Sequence, residues 1–275
     1  MAVTINTNVG SLQAQKNLSN TQAALSRSFA RLSSGYRINS AADDAAGLAI
    51  SDSMQSQIRS YTVAGRNTND GISMAQTADG ALGQVTDILG RMRELATQGA
   101  NGSLQSSDRS YLQTEFKSLQ SEVKRILTST KFNGQALVTQ ASSSVSFQVG
   151  INNTASDRIA VTFGGVHLSA LVSTATTLSG AAGSSQSALD TIDAALKTVS
   201  TTRGRFGAVM NRLEITSANI QTASLNLSAA NSRIRDVDVA AETANLSRTQ
   251  VLSQAGTSIL AQANQSPQMA LSLLR

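Results

Sequence analysis

The 275 residues contain no cysteine. Disulfides, thiolate nucleophiles, zinc knuckles and iron–sulfur clusters are therefore excluded. A single histidine, His167, rules out a multi-histidine metal site. Tryptophan is absent and aromatics make up 3% of the chain, so the core must be built from Ala, Leu, Ile, Val and Met. With one proline in the whole sequence, very long helices are permitted. No apolar run approaches the roughly 18 residues of a membrane span. Met1 to Asn6 has neither a charged nor an apolar leader segment, so no cleavable secretory signal is expected.

Charge is also sparse. Charged residues are 14% of the chain and the net charge is +5. The basic residues are scattered, Lys124-Arg125 and Arg203/Arg205 being the nearest to clusters, which favours dispersed surface charge over a phosphate-tracking face. Apolar residues reach 40% with 19 glycines, a globular composition that excludes wholesale disorder.

Heptad spacing is what the sequence has in abundance. Leu18, Leu25, Phe29 and Leu32 predict an amphipathic helix over residues 8 to 33, ended by Ser33-Ser34-Gly35. Ser40 to Asp43 has the spacing of a capping box, with Ser40 as the cap and Asp44 adding charge at the helix start. A helix over 43 to 98 follows from Met54, Tyr61, Thr68, Ala75, Leu82 and Leu89, with Val85 and Met92 on a second row. After a turn at Gly99 to Gly102, Leu112, Phe116, Leu119, Val123 and Ile126 predict a helix over about 108 to 129.

The centre changes character. Asn133-Gly134 signals a turn, and residues 145–149 and 159–163 alternate as half-buried strands of one hairpin. Residues 169 to 187, mostly Ser, Thr, Ala and Gly, read as exposed loop. Ile192, Val199, Phe206, Leu213, Ile220, Leu227 and Ile234 then recur every seven residues, a helix core packing into a bundle. Residues 240 to 275 are amphipathic through Leu246, Leu252, Ile259, Leu271 and Leu274, with Pro267 expected to interrupt them.

The predicted fold is mainly α, a long antiparallel helical rod of coiled-coil character with a small central β-hairpin region. The terminal helices have few large apolar residues and bury too little as a pair to be stable in water. They are expected to order only against neighbours.

Chemistry is scarce. Phosphate-cradle, zincin and EF-hand motifs do not occur. His167 reads as structural, and the Asp43/Asp44 and Asp236/Asp238 pairs as helix caps and solvated surface rather than a carboxylate dyad or cation site. The sequon at Asn152 and the hydroxyl-rich stretches 142–144 and 174–179 read as plain loop. No cofactor, metal or catalytic constellation is expected, and the chain is not read as an enzyme.

Two segments carry a resemblance. Leu32-Ser-Ser-Gly-Tyr-Arg-Ile-Asn-Ser-Ala-Ala-Asp-Asp-Ala-Ala-Gly-Leu-Ala-Ile50 resembles the N-terminal hallmark of bacterial flagellins. Ser232-Arg-Ile-Arg-Asp-Val-Asp-Val-Ala-Ala-Glu242 resembles their C-terminal hallmark. Residues 5–8 and 261–265 fit as well, and the likeness covers about 1 to 140 and 185 to 275. It implies a filament subunit for swimming motility. Residues 1–42 and 236–275 would form the inner filament layer lining a channel, and 43–235 a helical domain with its hairpin at about 131–168. The variable outer domain of larger relatives would be missing. The polymerisation helices would act through Leu18, Leu25, Phe29, Leu32, Leu246, Leu252, Ile259, Leu271 and Leu274.

The resemblance also implies location outside the cell in the bacterial flagellum, and export through the flagellar type III apparatus. Partners would be other copies, a filament cap, hook-junction proteins and an export chaperone, with neither nucleic acid nor membrane insertion. The stretch around Arg91 resembles the one that vertebrate Toll-like receptor 5 reads in some flagellins. Arg91, Leu95 and Glu115 match its key positions and Gly90 departs from the usual larger polar residue. Two rival readings are a hook–filament junction protein, present in few copies, and a basic coiled-coil protein that binds nucleic acid.

Overall fold

A computed structural model of the chain describes residues 7–173, 176–179 and 182–272, with side chains to residue 265. It is 76% helical, with a small β region, in agreement with the mainly α reading. The helices are α1 (Val9–Ser34), α2 (Ala45–Gly99), α3 (Ser106–Ser129), α4 (Ser169–Val172), α5 (Ala182–Arg235) and α6 (Val239–Ser272). Between α3 and α4 run the strands β1 (Lys131–Phe132), β2 (Gln135–Ala136), β3 (Ser143–Gln148) and β4 (Arg158–Phe163). Two compact units divide the chain, one of residues 1–56 with 226–275 and one of residues 57–225. The long helices α2 and α5 each contribute to both.

The unit of 57–225 holds the hydrophobic core. From α2 it takes two rows seven residues apart, Ala75, Leu82 and Leu89 on one and Ala78, Val85 and Met92 on the other, all fully buried. From α5 come Ile192, Val199, Phe206, Leu213 and Ile220, also buried, as the heptad spacing requires. Phe116, Val123 and Ile126 of α3 close the cluster, with Leu112 and Leu119 packed at its margin. Below Ile220 the α5 row leaves this core, and Leu227 and Ile234 are only half-buried, in the other unit.

The β region covers this core. β3 and β4 pair antiparallel with Val145 opposite Val161 and Phe147 opposite Ile159. Along β4, Ile159, Val161 and Phe163 point inward in strict alternation. The Phe163 ring stacks on Phe206 with centroids 5.5 Å apart. Phe147 rests on α2 at Gly71, where an added Cβ would lie 3.3 Å from the ring and 3.2 Å from Leu213. A smaller hairpin of β1 and β2, not expected from the sequence, turns at Asn133 and Gly134, both at positive φ.

The described residues of 169 to 187 (169–173, 176–179 and 182–187) do not form the exposed loop that the composition suggests. Leu171 and Leu178 are fully buried, α4 forms within the stretch and α5 already begins at Ala182. Two buried glutamines of α3 hold it down. Gln120 Nε2 donates to Leu171 O at 2.8 Å and Thr176 O at 3.2 Å, and Leu178 N donates to Gln113 Oε1. Satisfying backbone groups this way lets an irregular segment be buried.

Candidate functional site: the paired terminal helices

The unit of 1–56 and 226–275 is organised around polar contacts. Gly35, at φ 74°, ends α1 in a left-handed cap, its N–H bonding Arg31 O at 2.9 Å. The chain then forms a one-residue antiparallel bridge, Tyr36 with Asp236. Arg37 N donates to Arg235 O at 2.6 Å and Val237 N to Gly35 O at 3.0 Å. The Arg37 guanidinium reaches Ile234 O at 2.6 Å. The Arg235 guanidinium lies 4.5 Å above the Tyr36 ring and 3.3 Å from Asp52. The two hallmark segments, almost two hundred positions apart in sequence, thus clasp each other at the point where α1 gives way to α2 and α5 to α6.

Ser40 does not cap α2. Asp43 Oδ2 accepts from Ser40 N at 3.0 Å and Ser40 Oγ at 3.0 Å, which closes a turn before the helix. Those bonds, Ser40 N first, hold the Asp43 carboxyl below its ordinary pKa, with Arg31 adding its charge. The cap is Asp44, whose Oδ1 accepts from Gly47 N at 2.8 Å and whose carbonyl accepts from Leu48 N at 3.0 Å. Gly47 leaves room here for the buried Ile38 side chain and the capping Asp44 carboxylate, both of which would have to shift for an added Cβ. Asn8 caps α1 through Ser11 N, and Asp238 caps α6 through Ala240 N and Ala241 N.

The pair α1 and α6 is fastened at both ends by polar groups. Near the chain termini Asn8 Nδ2 donates to Ala263 O at 2.8 Å and Ser11 Oγ to Asn264 Oδ1 at 2.7 Å. Near the clasp Ser28 Oγ donates to Glu242 Oε1, and the Arg31 guanidinium lies 3.7 Å from Glu242 and 3.8 Å from Asp43. On α2 and α5, Ser51 Oγ donates to Asn231 Oδ1 at 2.7 Å and Asn231 Nδ2 to Gln55 Oε1 at 3.1 Å.

Burial in this unit is inverted. Among its described residues the buried polar groups are Ser11, Ser28, Ser51 and Glu242, whereas the one buried apolar side chain is Ile38. Exposed instead are Val9, Leu12, Phe29, Tyr36, Ile50, Val239, Val251, Leu252 and Ile259. Each of these large apolar side chains is left exposed in the single chain.

The residues predicted for the polymerisation helices divide accordingly. Leu18, Leu25, Leu32 and Leu246 are half-buried between α1 and α6. Phe29 is 51% exposed, Leu252 51% and Ile259 58%, so these three do not belong to the contact within the chain. α6 meets α1 instead through Leu246, Gly256 and Ala263, with Leu260 half-buried on the same side. Leu271 lies in α6, which continues through Pro267 to Ser272, but its side chain, like all of Leu274, lies outside the described residues.

The three receptor-like positions also separate. Arg91 bonds Glu115 at 2.9 Å and Glu94 at 2.9 Å on the surface, and both bonds raise its pKa, that with Glu115 foremost. Leu95 is 1% exposed and belongs to the core.

Several contacts carry no local sequence signal. Arg93 bonds Asp193 at 2.7 Å and Arg203 bonds Asp79 at 2.8 Å, joining α2 to α5 within the 57–225 unit. With Arg125 on Glu122, these pairs occupy cations that a nucleic-acid face would need free. Among the described residues no helix is long and apolar enough to cross a membrane, and no group of three His, Cys, Asp or Glu could hold a metal.

Comparison with known proteins completes the picture. Residues 5–143 match the family model described as bacterial flagellin N-terminal helical region, and residues 189–274 the bacterial flagellin C-terminal helical region. A flagellin of Halalkalibacterium halodurans is 45% identical over 98% of this chain and 99% of its own length. The flagellar filament 33 kDa core protein of Treponema phagedenis is 40% identical, again over 98% and 99%. The crystal structure of Bacillus cereus flagellin is 30% identical with a TM-score of 0.50, covering 60% of this chain and 94% of that one.

Proposed function

The chain belongs to the bacterial flagellin family, and on that premise we propose that its paired terminal helices are the surface through which copies polymerise. The protein is a structural subunit of the flagellar filament, made for motility rather than catalysis. Its place is the bacterial flagellum. The observation that carries the assembly reading is the inverted burial of the 1–56 and 226–275 unit. Polar groups fasten α1 to α6, and Val9, Leu12, Val251, Leu252 and Ile259 are left for other copies to cover.

In this reading residues 1–42 and 236–275 form the inner layer and line the channel, and residues 43–235 form the layer around it. Ordering of the ends is coupled to assembly, because a helix pair with no fully buried apolar side chain among its described residues gains little on its own. A filament cap, hook-junction proteins and an export chaperone are the further partners, the chaperone covering the apolar C-terminal helix before export. Recognition by an innate immune receptor would use Arg91 and Glu115 on the surface, with Leu95 shaping the helix from inside.

The test is seeded growth. Purified chain is added to short sheared filaments and examined by negative-stain electron microscopy, beside a sample whose ends are trimmed by mild proteolysis. Long uniform filaments from intact chain alone are the expected result. Stubs or monomers from intact chain would move the reading to a hook–filament junction protein.

A further inference from the structure

The apolar face between α1 and α6 does not specify its own pairing. On α1 it consists of Leu18, Leu25 and Leu32, one heptad apart. Sliding α6 by seven residues, about 10.5 Å, sets it against equivalent leucines. In a filament, moreover, the α6 of a neighbouring copy offers α1 the same face. Apolar packing is indifferent to both errors, and polar groups at a helix interface are the usual means of excluding them.

We propose that Ser28, Arg31 and Glu242 determine this pairing, holding α6 on the α1 of its own chain and in one register. The inference rests on the assembly reading above. Glu242 is 7% exposed, accepts the Ser28 hydroxyl and lies 3.7 Å from Arg31. A one-heptad slip in one direction sets Glu242 against Thr21 and carries it away from Arg31. A slip in the other direction sets it against Gly35, beyond the end of α1. The first leaves a buried carboxylate without its partners, which is strongly disfavoured, and the second takes Glu242 off the end of α1 and away from Ser28, with Arg31 one turn away. A neighbour's α6 reaches this knot only by giving up its own, and the link from α5 to α6, residues 236–238, is too short for easy exchange.

The protein supplies its own probe. A Cβ built at Gly256 lies 4.0 Å from Leu18 Cβ, within disulfide range, and the native chain has no cysteine to interfere. Filaments grown from full-length Leu18→Cys/Gly256→Cys are oxidised and run on a non-reducing gel, beside Leu25→Cys/Gly256→Cys as the slip detector. With the knot intact, the first pair should close within the chain in most molecules and the second stay open.

Adding Ser28→Val with Glu242→Leu replaces the Ser28–Glu242 bond by apolar groups and leaves Arg31 beside Asp43, which keeps the helices adherent while removing the specificity. Closure of 18 with 256 within the chain should then fall at least about threefold. Free thiols, covalent dimers or closure of 25 with 256 should replace it. If this variant does not grow alone, a small fraction is doped into native chain on native seeds. Ser28→Ala, which removes one hydroxyl and no charge, should show a smaller loss in the same direction. Undiminished closure within the chain in the Ser28→Val/Glu242→Leu filaments would overturn the proposal. Failure of the native chain to form filaments under the same conditions would instead count against the assembly reading.

Discussion

Asp43 and Asp44 are neighbours with different work. Asp44 caps α2 through Gly47 N, so Asp44→Ala should cost about 1 kcal/mol at that helix end. The measurable consequence is about fivefold faster amide exchange at Gly47 and Leu48, with the interior of α2 unchanged. Asp43 instead closes the preceding turn as a carboxylate whose pKa is lowered, chiefly by the Ser40 backbone N–H. A carboxyl with a depressed folded-state pKa contributes stability above its unfolded value, near 3.9, and loses it as pH falls through the folded value. Asp43→Asn should therefore exchange faster than native chain at residues 39–43 at pH 7. The difference should shrink as pH falls below the ordinary carboxylate range and through the lowered folded-state value. A difference that does not shrink on acidification would show that the charge is not what closes the turn. Neither role can be assigned from spacing alone, since Ser40 to Asp43 fits a capping box equally well and only the helix start at Ala45 decides between them.

At the scale of elements, α5 and α6 separate what a heptad pattern reveals from what it hides. On α5 the residues Ile192 to Ile220 of the heptad row are buried in the core of the 57–225 unit, whereas Leu227 and Ile234 are half-buried. On α6 the large apolar residues do not all face the partner in the chain. The side toward α1 includes Glu242, Thr249, Ser253 and Gly256, and Leu252 and Ile259 look outward. Periodicity detects that an apolar residue wants cover, not which chain provides it. The buried stretch around Leu171 and Leu178 was illegible for another reason, since the glutamines that hold it come from α3, about fifty residues or more away. Leu213→Ala and Ile259→Ala should accordingly behave in opposite ways. The first should destabilise the monomer by about 2–5 kcal/mol in denaturant unfolding. The second should leave monomer unfolding within about 0.5 kcal/mol and raise the critical concentration for filament growth about ten- to a hundredfold. Equal effects on monomer and filament would contradict the division.

For the molecule as a whole, the decisive quantity is where apolar side chains are buried. Among the described residues every fully buried one except Ile38 lies in 57–225. Fixing a residue's backbone costs about 1–2 kcal/mol, and a helix pair that hides serines and a carboxylate has little burial to set against that. The 57–225 unit can meet the cost from its own core, and the other unit needs the surface of further copies. Native hydrogen exchange should divide the chain along this line. In dilute monomer, amides of 9–34 and 239–265 should exchange close to the unprotected rate, whereas those of 74–96 and 192–213 stay protected. In filaments all four stretches should be protected, with a matching gain in helical circular dichroism on polymerisation. The gain should disappear when Leu252 and Ile259 are both changed to Ser, because the uncovered face would no longer compensate the ordering of its helix. Protection of α1 and α6 in the monomer equal to that in the filament would mean that the polar knot and clasp suffice to fold them, and that assembly joins helices already formed.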